Sequence, residues 1–213
     1  MICLGGGDGG WASNRKPRKS QMAQLPRHHR RGAEVSRAEA PSRLSHAPSR
    51  AAGRQRAIGL LRSWAQKWNI DPRLIGSSAG GHLAATLSNN YAERICERVD
   101  AADDASCKPD FAILIYPAYV TDPIDSDALT ELMHVDAMSP QTTPPTFIAS
   151  AQIDKFTCGA VAYSLALRTA RVRSELHIYG GGGHGNGLRV RPLAKWVVPC
   201  GRRLDSLAAK PGG

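Results

Sequence analysis

Apolar residues along this chain alternate between short continuous runs and rows at helical spacing. Ile58, Leu61, Ala65 and Trp68 recur three or four residues apart, so an amphipathic helix is predicted over 54–68, ending near Asn69 and Pro72. The run from Phe111 through Ala112, Ile113, Leu114 and Ile115 to Tyr116 is continuously apolar, as expected of a parallel strand covered on both faces. A second buried strand is predicted over 147–154, ending at a carboxylate, and a third over 175–179. Helices are predicted over 82–88, 158–171 and 193–207, the last interrupted at Pro199. Residues 121–145, rich in Asp, Ser, Thr and Pro, read as a loop or small cap of the kind that carries substrate contacts. Strands alternating with helices imply an α/β fold with a mostly parallel sheet flanked by helices. One element looks short, because only Arg73, Leu74 and Ile75 separate Pro72 from Gly76, where a strand usually has about 5 to 6 residues.

That short step leads into Gly76-Ser77-Ser78-Ala79-Gly80, a G-x-S-x-G sequence followed by Gly81 and His82. In such a motif the serine sits on a sharp strand-to-helix turn, with glycines where a Cβ would collide with neighbouring backbone, and Ser78 becomes a candidate nucleophile. The same turn aims the N–H of Ala79 at a developing oxyanion. A serine nucleophile needs a base and a carboxylate that orients the base. Asp154 follows the predicted strand 147–154, and His184 sits in the glycine-rich run 180–187 after the predicted strand 175–179. The chain order Ser, Asp, His is that of an α/β-hydrolase. Plainer roles compete: Ser78 as an ordinary helix N-cap, and Asp154 as a solvated loop acid or a cap for the following helix. His82, His134 and His177 read as structural. No Cys/His metal spacing occurs among the residues, and the five cysteines form no C-x-x-C pair, with Cys96 and Cys107 left as a candidate pairing across a loop.

Charge divides the chain into unlike parts. Residues 15–56 carry 12 Lys and Arg against 2 Asp and Glu, a surplus equal to the whole chain's net charge of +10. The segment 12–56 is rich in Arg, Ser, Pro and Ala with almost no aliphatic periodicity, so it is expected to be disordered and to bind polyanions only weakly and without specificity. No aromatic interleaving supports a nucleic-acid-binding module, which stays a distant alternative. No membrane-length apolar run and no secretory leader are legible, which makes cytoplasmic the default location.

Several runs resemble a known family: Ile70-Asp71-Pro72, the stretch 78–88 beginning Ser78-Ala79-Gly80-Gly81-His82, the stretch 110–117 ending Tyr116-Pro117, Pro144-Pro145-Thr146-Phe147, and Gly183-His184-Gly185. Together they are similar to the acetyl-xylan and feruloyl esterase-like branch of the α/β-hydrolases, densely from about residue 55 to 188. The resemblance implies a serine carboxylic-ester hydrolase, needing no cofactor and no metal, that acts on a small-molecule or carbohydrate ester, with Ser78, Asp154 and His184 as its triad. It also implies that the glycine-rich stretch 5–11 is a remnant of the oxyanion loop, with Gly6 or Gly7 as a second donor beside Ala79; a plain glycine-rich terminus is the alternative. Members of this branch are often exported, so location stays open. The expected organisation is a loop remnant at 1–11, a basic segment at 12–56 and an α/β-hydrolase-like domain at 57–213. Only Met1 to Leu4 precede the loop, and the segment 12–56 has the length but not the chemistry of a helix and core strand, so the sheet is expected to be incomplete at its N-terminal side. A reading-frame shift in the coding sequence would preserve length in this way; a natural basic insertion is the alternative. The rival functional reading is a catalytically impaired fragment of the same fold.

Overall fold

The structure, a computed structural model, describes residues 2–3, 47–68, 73–92, 97–185 and 193–208. Five strands, β1 (Ile2–Cys3), β2 (Arg73–Ser77), β3 (Phe111–Ile115), β4 (Thr146–Ala151) and β5 (Ser174–Tyr179), pair in chain order, every neighbour parallel. The helices are α1 (Ala47–Ser63), α2 (Ala65–Trp68), α3 (Ala79–Asn89), α4 (Thr157–Thr169) and α5 (Val197–Ala208). Among the described residues no strand lies beyond β1, which is two residues long.

A parallel sheet whose strands follow chain order with right-handed crossovers receives its connecting helices on one face. The two cores reflect this. Ile58 and Leu61 of α1, Ala84 and Leu87 of α3, and Tyr163 and Leu167 of α4 pack with Leu74, Leu114 and Ile148 on one side. On the other, Trp196, Cys200 and Leu204 pack on Phe111, Ile113, Ile115, Phe147 and Ala149. Alternate residues of β3 and β4 thus face opposite cores, which explains why both strands are apolar throughout.

Four sequence expectations change. The helix expected over 54–68 begins at Ala47, inside the segment read as disordered, and is broken before α2. Ala51 and Ala52 are strong helix formers, and Pro48 falls in the first turn, where a missing N–H costs nothing. Beside Ile58 and Leu61, polar groups dock this helix, and a search for aliphatic periodicity passes over them. Gln55, 1% exposed, donates to the Asn90 carbonyl, Arg56 pairs with Asp100 and the buried Asp103, and Arg62 pairs with Asp110 at 2.9 Å. Strand β2 is not short, because Gly76 and Ser77 continue its pairing, opposite Leu114 and Ile115. Pro199 does not interrupt the last helix; it is the third residue of α5, within the unbonded first turn. Cys107, the described half of the candidate cysteine pair, carries a buried thiol rather than a disulfide and donates to the Tyr91 carbonyl. Residues 4–46 lie outside the described residues, Gly6 and Gly7 among them.

Leu114 is fully buried in β3, so Leu114→Ala is expected to lose about 2–5 kcal/mol of stability in denaturant unfolding. Val99, 68% exposed, should tolerate alanine within about 0.5 kcal/mol. The Arg56 guanidinium, with help from the Ala102 N–H, holds the Asp100 carboxyl below the usual aspartate range. A lowered carboxyl pKa contributes stability that is complete above the ordinary aspartate range and lost as pH falls through the lowered value. Unfolding measured across acid pH should therefore show a shallower decline in Asp100→Asn than in the parent.

Candidate active site

Strand β2 runs directly into α3 through Ser78, whose backbone sits at φ 55° and ψ −126°. A non-glycine residue with positive φ is strained, by about 1–3 kcal/mol, and persists only where its surroundings fix it. Here four backbone bonds do so: the Ser78 N–H donates to the Ile115 carbonyl, and the Ser78 carbonyl accepts from Gly81, His82 and Ala118. Glycine permits the turn to close. A Cβ on Gly76 would stand 2.2 Å from the Gly80 carbonyl oxygen, and one on Gly81 would stand 2.8 Å from the Pro117 Cα. Although Ser78 occupies the N-cap position of α3, its side chain makes no capping bond. Its Oγ lies 2.7 Å from His184 Nε2 instead.

Asp154 follows β4 by a turn closed by its own N–H to the Ala151 carbonyl. Its side chain is fully buried, with Oδ2 2.8 Å from His184 Nδ1 and Oδ1 accepting from the Phe156 N–H at 3.0 Å. It is thus no solvated acid, although one oxygen serves the turn that starts α4. The position just before a helix N-terminus favours a carboxylate. His184 stands in the loop after β5, between Gly183 and Gly185, with its side chain 32% exposed. Tyr116 lies edge-on to its ring at 5.1 Å and Phe156 lies tilted at 4.8 Å. Ser78, His184 and Asp154, which lie far apart in the chain, therefore form one hydrogen-bonded row at the ends of β2, β4 and β5. The N–H of Ala79 opens α3, where no carbonyl of the helix can reach it.

This fold recurs in solved structures. An acetyl ester-xyloside bifunctional hydrolase from Caldicellulosiruptor lactoaceticus matches at 28% identity and a TM-score of 0.63, over 74% of this chain and 65% of that one. A sugar hydrolase from Lactococcus lactis matches at 23% identity and TM-score 0.60, over 78% of this chain and 72% of that one. An α/β hydrolase from a Medee basin deep-sea metagenome library matches at 23% identity and TM-score 0.56, over 74% of this chain and 64% of that one. The chain has the α/β-hydrolase fold. A carboxylesterase from Lactobacillus plantarum shares this fold, at 20% identity and TM-score 0.57. The chain spans about two thirds of the length of these structures. No family model and no curated protein sequence matches it.

On this α/β-hydrolase fold the sequence reading passed over Tyr116 and Phe156. Phe156 is two residues beyond Asp154, a spacing that hints at proximity; the φ of 41° that aims Tyr116 has no sequence signal. A cavity of about 540 Å³ between residues 127–138 and α4 includes none of the residues around Ser78. Among the described residues no three His, Cys, Asp or Glu are grouped to hold a metal, and no helix is long and apolar enough to cross a membrane. Steric demand at the elbow gives a direct test. Gly76→Ala should abolish soluble folded protein, because backbone blocks its Cβ, whereas Gly201→Ala in α5, with nothing within 4 Å, should raise the thermal midpoint slightly.

Proposed function

We propose that the chain is a serine carboxylic-ester hydrolase, with acyl esters of small alcohols or carbohydrates as substrates. The observation that carries this reading is the unbroken row from Asp154 through His184 to Ser78, at 2.8 and 2.7 Å, with the serine on a strained elbow. With Asp154 accepting from Nδ1–H, the lone pair of His184 Nε2 faces the Ser78 hydroxyl. Ser78 Oγ then attacks the ester carbonyl as its proton passes to Nε2. Asp154 stabilises the imidazolium, and the Ala79 N–H, with Gly6 or Gly7 as second donor, receives the negative oxygen. Collapse breaks the bond to the alcohol, which leaves with the proton from Nε2. Water, deprotonated by His184, next cleaves the acyl-serine in the same way and releases the acid. Nothing in this sequence of steps needs a cofactor. The carbohydrate-ester preference draws support from the matched acetyl ester-xyloside hydrolase.

A second reading, the same fold without turnover, draws on β1, which among the described residues pairs with only Ile75 and Gly76 of the five residues of β2. Hydrolysis of p-nitrophenyl acetate separates the two. Turnover that falls by at least about 10³-fold in Ser78→Ala, with stoichiometric fluorophosphonate labelling of Ser78 in the parent, is expected of the esterase. Absent turnover and labelling in a folded parent would establish the second reading, and undiminished turnover in Ser78→Ala would remove Ser78 from the mechanism.

A further inference from the structure

His184 is carried by glycines on both sides, and Gly182 and Gly185 hold φ values of 87° and 84°. A Cβ at Gly183 would meet only Ile153, at 3.9 Å, and one at Gly185 would meet nothing within 4 Å. Among the described residues, backbone does not crowd the Cβ positions beside the base as it does those beside the serine. Two hydrogen bonds hold the ring at Nδ1 and Nε2, but a ring pinned at two atoms can still rock about the line joining them. Beside the tether at Cβ, contacts from outside its plane oppose that motion.

Two side chains make such contacts. The Tyr116 ring is inclined 67° to the imidazole at 5.1 Å, and the Phe156 ring 54° at 4.8 Å. Both are nearly inaccessible, at 9% and 4% exposure, and both are anchored by backbone. The Tyr116 N–H donates to the Ala149 carbonyl of β4 at 2.6 Å, while its φ of 41° is a rare conformation for an aromatic residue. Phe156 is tied at both ends of the acid–base pair: its N–H holds Asp154 Oδ1 and its ring contacts His184. Tyr119 in turn packs edge-on against Phe156 at 5.1 Å.

We infer that Phe156 and Tyr116 are positioning residues that clamp the His184 ring in line with Ser78 and Asp154. The inference rests on the proposed role of His184 as base. When His184 takes the serine proton, the imidazolium must keep its orientation until that proton reaches the leaving alcohol. Loss of a ring should thus affect the chemical step more than substrate binding.

Two readouts test this. With p-nitrophenyl acetate, Phe156→Leu and Tyr116→Leu are each expected to lower kcat by about 10- to 100-fold with little change in KM, the scale of a misplacement near 1 Å, and Phe156→Tyr should restore most of the loss. Proton NMR of the Ser78→Ala protein, where turnover plays no part, should show a low-field resonance from the His184 Nδ1 proton that is lost or broadened when Phe156→Leu is added. A wild-type kcat in both leucine variants, or a resonance unchanged by them or missing with both rings intact, would overturn the clamp. Should Phe156→Leu lack a cooperative thermal transition, Tyr116→Leu decides on the same criteria. If Ser78→Ala leaves hydrolysis undiminished, the esterase mechanism fails, yet the NMR comparison still decides the clamp.

Discussion

The geometry around Ser78 depends on backbone packed against backbone at the β2–α3 turn. Gly76 meets Gly80, and Gly81 meets Pro117, so closely that no side chain fits between them. This contact draws α3 down onto the sheet and lets Ser78 hold its positive φ. It also ties the turn to the next strand, since Ile115 and Ala118 both bond to Ser78. The strain at one residue is thus distributed over β2, α3 and the end of β3, which have well-buried cores on both faces to resist it.

From that point the parallel register does the rest. Ser77 lies opposite Ile115, Ile115 opposite Ala149, and Ala151 opposite Tyr179, so the strands end at similar heights along one edge of the sheet. Loops leaving that edge need only a few residues to converge: Ser78 follows β2 at once, Asp154 comes three residues after β4, and His184 five after β5. Ligand sites of open α/β sheets form at this edge for the same reason. Charged groups finish the other side of the molecule, where Arg56 and Arg62 fasten α1 to the 100–110 segment through Asp100, Asp103 and Asp110.

Much of this is legible in the sequence where one local pattern determines one local structure. The continuous apolar runs of β3 and β4 announce burial on both faces, and the glycine spacing around Ser78 announces the turn. Chain order and position after strands single out Asp154 and His184, although their mutual distances are a property of the folded sheet. The full extent of α1 is not legible from apolar spacing, because Gln55 and Arg56 in its middle dock it by polar contacts whose partners, Asn90, Asp100 and Asp103, lie 35 or more residues away. Strand β2 looks short because glycine and serine are poor strand formers, yet pairing with β3 overrides that preference. Pro199 misleads in the opposite sense, since its effect depends on where in the helix it falls. Tyr116 and Phe156 escape notice because aromatic residues beside strands usually signal only core.

The two glycine-rich turns of the site use the residue for opposite physical reasons. Near Ser78 glycine is demanded by crowding: there is no room for a Cβ, and the turn is rigid as a result. Near His184 there is room to spare, and glycine instead supplies positive φ at Gly182 and Gly185 so that the chain can fold back from the edge of β5. A crowded glycine turn fixes its own residue, whereas an open one loses more backbone freedom on ordering and must be fixed by contacts made elsewhere. The order of the base therefore depends on residues from other strands, Asp154 after β4, Phe156 at the start of α4 and Tyr116 after β3. Anything that loosens the sheet at those strand ends would release His184 before it released Ser78.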